Sequence, residues 1–166
     1  VGGAFGVARG REGVSPTGVA IGTPEAMRED VPRVHATADF VIVAIHAGTE
    51  YNSIPDSTQR SLTEAALNAG ADVVLGAHPH VVQPVERRGG QLVAWSLGNF
   101  VFDLDAEDLA NIATPRVSLL LRFSPTERKG VTAVVVVPLT LDPVASQPPP
   151  ATTPEAGVTW PQHGMR

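Results

Sequence analysis

Residues 39–50 read DFVIVAIHAGTE, and this stretch decides the fold. Residues 40–45 are an almost unbroken apolar run, typical of a strand buried on both faces in a sheet covered by helices. A second strand-length run, residues 72–75, has three apolar residues after Asp72 and follows a segment with apolar residues at helical spacing. Strand, helix and strand in this order predict a parallel βαβ unit.

Two helices accompany these strands. Residues 23–25 read Thr-Pro-Glu, which is a helix start with an N-cap, a proline at the first position and an acid in the first turn. Pro32 predicts that this first helix is kinked or split into two pieces. The second helix is expected to start at residues 55–57 and to end at Gly70. Residues 19–21 suggest a short strand before both helices.

The second half of the chain favours antiparallel strands. A Gly-Gly turn at residues 89–90 predicts a hairpin. Residues 142–166 are rich in proline and poor in apolar residues, which predicts a disordered tail. The fold class is therefore α/β, with one domain portion over residues 1–141 followed by the tail. The four strands expected in this half cover residues 81–87, 91–96, 116–123 and 131–141.

Composition excludes several classes of protein. The net charge is −5, and basic residues form no patch, so an electrostatic grip on nucleic acid is not expected. The chain has no cysteine, which excludes disulfides and thiolate metal sites. We find no signal peptide and no apolar run near the roughly 18 residues of a membrane span. The opening Val1-Gly2-Gly3 suggests a chain that begins inside a longer parent.

Histidines follow both predicted parallel strands. His46 comes directly after the first strand, and His78-Pro79-His80 follows the second. Ligands bind at the carboxyl ends of strands in open α/β sheets, so three imidazoles would meet at one edge. Pro79 restricts the backbone between two of them. The sequence predicts a divalent metal site of manganese, iron or zinc, although any single loop histidine is more often solvated or structural.

Two polar residues lie close to this predicted site. Glu50 follows His46 by four residues and is a candidate ligand, a residue that orients a ligand, or a surface acid. Asn99 follows a strand in a Gly-Asn turn and could offer its amide to the site, or could simply be a turn residue.

Other polar residues are assigned structural places. Asp39 and Asp72 precede their strands, so we place them in helix-to-strand loops at the opposite edge of the sheet. His35 is expected on a helix surface, and His163 in the tail.

Three segments resemble a known family. Residues 39–51 are similar to the His-Trp-Gly-x-Glu-Tyr segment of CapA-type proteins of poly-γ-glutamate capsule biosynthesis. Residues 69–84 resemble that family's Gly-x-His-Pro-His-Val segment, and residues 96–103 its Ser-Leu-Gly-Asn-Phe segment. The resemblance implies the fold of the calcineurin-like metallophosphatase superfamily, a four-layered α/β sandwich with a dimetal site at the strand ends.

The resemblance also implies roles for individual residues. His46 would match the family's lone histidine ligand, and His78 and His80 its Gly-His-x-His ligands. Glu50 would be a family-typical residue near the site. Ala47 stands where the family usually has tryptophan, which changes the pocket wall and not the ligands.

Two expected motifs are missing. The family begins with a Gly-Asp motif and an Asn-Asn-His motif, and residues 1–45 contain neither. The resemblance therefore implies only the C-terminal part of the sandwich and an incomplete site. Two metals about 3.5–4 Å apart need a bridging acid that the three histidines do not supply.

The resemblance implies a role in making or anchoring poly-γ-glutamate or a related surface polymer. The expected chemistry is metal-assisted hydrolysis of a phosphoester or another acyl or phosphoryl centre, with this chain inactive by itself. Expected partners are an anionic polymer or phosphoester substrate and other capsule-synthesis proteins, and the parent would be exported or membrane-associated on the outer face. The alternatives are a non-catalytic polymer-binding scaffold of the cell envelope and a degenerate remnant.

Overall fold

The computed structural model describes residues 20–100, 117–126 and 130–140. The expected tail and the domain boundary at residue 141 lie outside these ranges, as does His163. In chain order the elements are α1 (Pro24–His35), β1 (Ile42–His46), α2 (Ser57–Asn68), β2 (Val73–Ala77), β3 (Val85–Arg88), β4 (Gln91–Ala94), β5 (Val117–Pro125) and β6 (Val131–Thr140).

The strands form a mixed sheet and a separate hairpin. The four-stranded sheet has the order β1-β2-β4-β3, in which β1, β2 and β4 are parallel and β3 pairs antiparallel with β4. β5 and β6 form a two-stranded antiparallel ribbon. The α/β class is therefore confirmed, with a parallel β1–β2 pair followed by the antiparallel pairs β3–β4 and β5–β6. The second half is not purely antiparallel, however, because β4 also pairs parallel with β2.

Both helices begin where their capping residues predict. Thr23 caps α1 by accepting the Ala26 amide hydrogen at 3.1 Å. Asp56 and Gln59 form a capping box at the start of α2. α1 is one helix that contains Pro32, so the alternative of two pieces is wrong. No helix in the described part of the chain is long and apolar enough to cross a membrane.

The two faces of the sheet pack against different partners. Val74 and Val93 lie in a core with Leu62 and Ala66 of α2. The neighbouring residues in the same strands, such as Val73 and Leu92, face the other way and join a second core with Val131 of β6. This alternation is the period of two expected for strands that are covered on both faces. Helices therefore cover one face of the central strands, and the β5–β6 ribbon covers the other.

β1 differs from its prediction. Residues 40–45 suggested a strand buried on both faces, but Ile42 is 49% exposed. The reason is position: β1 is the edge strand of the sheet as described, with β2 as its one paired neighbour. Val41 and Ile45 face the helices, whereas the second core does not extend over Ile42.

Two other strand predictions need correction. Residues 81–87 were expected to form one strand, but the ladder starts at Val85, after an isolated bridge between Val82 and Leu97. Pro84 has no amide hydrogen, which interrupts regular pairing just before β3. Residues 20 and 21 are not in a strand, and residue 19 lies outside the described part of the chain.

Asp72 ties the amino-terminal ends of the strands together. Its carboxylate accepts the Val41 amide hydrogen at 2.8 Å and the Gly130 amide hydrogen at 3.0 Å. Its backbone carbonyl accepts from the Leu92 amide at 3.0 Å. The residue is 3% exposed, so these bonds are shielded from water. Asp72 lies in the loop that was predicted, and there it connects β1 and β4 to the start of the β6 segment.

The placement of His35 on a helix surface is wrong. Its side chain is only 13% exposed, and Nε2 hydrogen-bonds to the Gly70 carbonyl oxygen. The same nitrogen lies 3.9 Å from Oδ2 of Asp72. Helical spacing alone missed this because the contact is made to the loop that follows α2.

We expect Asp72→Ala to lower the free energy of unfolding by about 2–4 kcal/mol, because two buried amide hydrogens lose their acceptor. Urea unfolding of the isolated chain measures this loss. Asp39→Ala is the matched control, since Asp39 is exposed in the loop before β1 and should change stability by less than about 0.5 kcal/mol. Equal unfolding midpoints for the two variants would contradict the role given to Asp72.

Candidate metal centre

The candidate site lies at the carboxyl edge of the parallel strands. β1 and β2 pair in register from Ile42 with Val73 to His46 with Ala77. Both strands therefore end at the same edge, where His46 is the last residue of β1 and His78 follows β2 directly. The predicted parallel pairing is confirmed, and it brings the two histidine segments together.

The imidazole rings are close neighbours. The ring centroids of His46 and His78 are 5.0 Å apart, and those of His78 and His80 are 6.0 Å apart. Each of the three side chains is half-buried. The rings thus form a row along the rim of the sheet, open to solvent on one side.

The backbone of the His-Pro-His segment turns sharply, as expected for a pair that shares one target. His78 has φ 101° and His80 has φ 60°, both in the left-handed region that non-glycine residues rarely adopt. Pro79 between them is buried. Such strain costs on the order of 1–3 kcal/mol a residue and is concentrated at functional sites in folded proteins.

Three ligand atoms come together at this rim. One donor atom each from Glu50, His78 and His80 lies within 4.8 Å of the others. Glu50 is exposed and the histidines are half-buried, so the group is reachable from solvent. Two imidazole nitrogens and a carboxylate oxygen are a donor set that suits a first-row divalent cation. Of the roles left open for Glu50, that of a ligand is compatible with its position in this group.

His46 lies beside this group. Within the described residues, the cluster of mutually close donor atoms holds Glu50 and not His46. Its ring packs against that of His78. Burial lowers the pKa of His46, and the positive charges of His78 and His80 lower it further. A lowered pKa keeps the imidazole neutral, and the neutral form has the lone pair that a cation needs.

Asn99 reaches the site. Its Oδ1 lies 2.7 Å from Nδ1 of His80, and Asn99 itself is 8% exposed. An amide oxygen only accepts, so Nδ1–H of His80 must donate. The proton on Nδ1 leaves the lone pair on Nε2. This is how a neighbouring group usually fixes the tautomer and orientation of a ligand histidine.

The position of Gly76, two residues before His78, has no room for a side chain. A Cβ on Gly76 would lie 1.9 Å from the carbonyl oxygen of Trp95. Any side chain would therefore push β2 away from the segment that follows β4. The sequence offered this signal as a glycine inside an otherwise apolar strand, which indicates a close backbone approach.

Comparison with known proteins places the chain among capsule-synthesis proteins. A family model described as "Bacterial capsule synthesis protein PGA_cap" matches residues 3–104, a range that includes the three histidines of the rim, Glu50 and Asn99. The chain is 43% identical to the PGA biosynthesis protein CapA of Bacillus subtilis over 86 residues, 52% of this chain and 23% of that protein. It is 46% identical to the capsule biosynthesis protein CapA of Bacillus anthracis over 66 residues, 40% of this chain and 16% of that protein. The chain thus spans less than a quarter of the length of these relatives.

We expect His46 to titrate below its ordinary pKa of 6.5 in the metal-free chain, because burial and two nearby imidazolium charges oppose its protonation. Proton NMR of the ring resonances against pH measures this value. His78→Ala should raise the pKa of His46, but not fully to 6.5, since burial remains the larger cause. A His46 pKa above 6.5 would contradict the described packing.

We expect the neutral form of His80 in the metal-free chain to carry its proton on Nδ1, because Asn99 accepts from that nitrogen. Long-range nitrogen–proton NMR correlations of the imidazole distinguish the two tautomers. Asn99→Ala should produce a mixture of His80 tautomers. Asn52→Ala, which changes an exposed side chain in a loop, should leave the Nδ1 tautomer in place. An Nε2 proton in the unmodified chain would show that the hydrogen bond does not form.

Proposed function

The chain belongs to the bacterial capsule synthesis protein family, PGA_cap, and from this premise we propose that it carries a divalent metal site used in capsule-polymer biosynthesis. The observation that carries the proposal is the convergence of Glu50, His78 and His80 at the carboxyl edge of the sheet. The proposed ion is manganese, iron or zinc, bound through nitrogen and oxygen.

Each residue at the rim has its own part in this proposal. His78 and His80 present their rings from a strained turn, so little conformational freedom is lost when an ion binds. Glu50 supplies negative charge that offsets the charge of the cation. His46, kept neutral by its lowered pKa, stands next to His78 as a further nitrogen donor for the same ion or for a second one.

The metal would act as a Lewis acid on a phosphoryl or acyl oxygen. The substrate class we propose is an anionic polymer or a phosphoester, as suits a family concerned with capsule synthesis. We further propose that this chain is part of a longer protein that works at the cell envelope. The remaining ligands of a two-metal site would come from outside this chain, which would leave the chain by itself inactive.

We expect the isolated chain to bind one Zn²⁺ or Mn²⁺ ion, as measured by isothermal titration calorimetry of each ion alone. His78→Ala, His80→Ala and Glu50→Gln should each weaken binding at least tenfold, because each removes one donor from the group. His35→Gln is the matched control, since this histidine lies at the opposite edge of the sheet, where its Nε2 bonds to the Gly70 carbonyl oxygen. Equal affinities for all four variants would rule the site out.

A second measurement separates an enzyme from a scaffold. The longer protein, loaded with metal, is assayed on a chromogenic phosphodiester and for retention of poly-γ-glutamate. Turnover that His80→Ala removes supports metal-assisted hydrolysis. Retention of the polymer without turnover, undisturbed by His80→Ala, would favour the scaffold and contradict the catalytic part of the proposal.

A further inference from the structure

The proposed ligands come from two separate loops. Glu50 lies in the loop between β1 and α2, residues 47–56, which we name the acidic loop. His78 and His80 lie in the loop between β2 and β3, residues 78–84, which we name the histidine loop. Pairing of β1 with β2 ends at His46 and Ala77, so it does not fix how the two loops sit against each other.

Two buried glutamines, Gln59 of α2 and Gln83 of the histidine loop, are hydrogen-bonded to each other. Gln59 is 3% exposed and Gln83 is 2% exposed. Nε2 of Gln59 donates to Oε1 of Gln83 at 2.8 Å, and Nε2 of Gln83 donates to the Asn52 carbonyl oxygen at 2.8 Å. Gln83 belongs to the histidine loop and Asn52 to the acidic loop. The side-chain amide of Gln83 therefore connects one loop directly to the other.

The remaining bonds fix the pair to the rest of the fold. Nε2 of Gln59 also donates to the Trp95 carbonyl oxygen at 3.2 Å, beside the end of β4. Oε1 of Gln59 accepts the Asp56 amide hydrogen at 3.1 Å, which is half of the capping box of α2. Gln59 thus holds Gln83 against the end of the acidic loop, the start of α2 and the sheet at once.

The acidic loop closes tightly over this pair. A Cβ on Gly48, which has φ 125°, would lie 2.7 Å from the side chain of Gln59. The Tyr51 amide donates to the Pro79 carbonyl oxygen at 2.8 Å, which is a second direct bond between the loops. Tyr51 has φ 59°, and its ring centroid lies 6.0 Å from that of His80. All three non-glycine residues with positive φ in the described chain are thus in these two loops.

We propose that the Gln59–Gln83 amide pair is the positioning element that locks the acidic loop onto the histidine loop and so sets the distance between Glu50 and the two histidines. The inference rests on the proposed metal site for its consequence, but the lock itself is a property of the metal-free chain. The side-chain hydrogen bonds described for the two glutamines go to other residues than Glu50, His78 and His80. Their effect passes through the backbone at Asn52 and at the start of β3.

Energetics favour this role over plain core packing. A buried amide that makes all its bonds contributes little net stability compared with apolar groups of the same shape. A fully satisfied buried polar network does, however, select one arrangement of the chain, because alternatives leave polar atoms without partners. The strained turns at Tyr51, His78 and His80 need such a selection to persist.

The test uses Gln83→Met, which keeps the length of the side chain and removes its hydrogen bonds. In the metal-free chain, amide hydrogen exchange at Tyr51 should speed up about tenfold more than exchange at Leu92, a buried amide bonded to the Asp72 carbonyl oxygen. Calorimetry with Zn²⁺ should then show affinity reduced about tenfold. Gln59→Met should change Tyr51 exchange and Zn²⁺ affinity in the same way. The double variant should bind Zn²⁺ only slightly more weakly than either single variant, because both substitutions remove the same connection.

Asp72→Ala is the matched control, because it weakens the opposite edge of the sheet. It should speed exchange at Leu92, whose amide bonds to the Asp72 carbonyl oxygen, at least as much as at Tyr51, and it should leave the Zn²⁺ affinity of the folded chain within about twofold. Should Gln83→Met fail to fold, Gln83→Asn keeps an amide that is one methylene too short to span both loops and allows the same comparison.

If Gln83→Met speeds amide hydrogen exchange equally at Tyr51 and Leu92, the amide pair does not hold the two loops together and the proposal is wrong. Faster exchange at Tyr51 with unchanged Zn²⁺ affinity would show that the lock does not set the ligand distances. If the unmodified chain binds neither Zn²⁺ nor Mn²⁺, the proposed function fails, and the exchange comparison alone then decides whether the amide pair holds the loops together.

Discussion

The parallel, in-register pairing of β1 with β2 is the constraint from which the rest of the molecule follows. It places His46 and Ala77 side by side, so that the segments after both strands must share one edge of the sheet. Asp72 fixes the other edge by holding the Val41 amide with its carboxylate. With the register set, the two loops leave the sheet at fixed, neighbouring points before any ion is present.

Strain at the rim is matched by support beneath it. His78 and His80 adopt backbone conformations that residues with side chains avoid, and Gly76 is small enough for the Trp95 carbonyl to approach. Asn99 orients the ring of His80, and the Gln59–Gln83 pair ties the two loops together. A rim built in this way would need little rearrangement to hold the ion that we propose, which would reduce the entropy lost on binding. This preorganisation fits a capsule-synthesis family member in which we propose a metal-dependent step.

Much of this arrangement was readable in the sequence, and the reasons are local. Apolar runs and capping residues such as Thr23 and Asp56 predict strands and helices because they act over a few residues. His46, His78 and His80 could be placed on one edge because parallel strands share their polarity. The three motif segments also identify the family from the sequence alone.

Contacts between residues far apart in the chain could not be predicted from the sequence. The carboxylate of Asp72 reaches Gly130, 58 residues away, and His35 reaches Gly70 across a helix. No sequence pattern singles out Gln83, and only the fold shows that its side chain is hydrogen-bonded to that of Gln59. Exposure of β1 could not be predicted either, because a run of apolar residues does not reveal which strand lies at the edge of a sheet.

Crystals of the chain grown with Zn²⁺ and measured at the zinc absorption edge would test the central claim most directly. Our account predicts one anomalous peak at the rim, about 2.0–2.2 Å from a nitrogen of His78, a nitrogen of His80 and an oxygen of Glu50. A peak elsewhere on the surface, or a rim without one at saturating zinc, would contradict it.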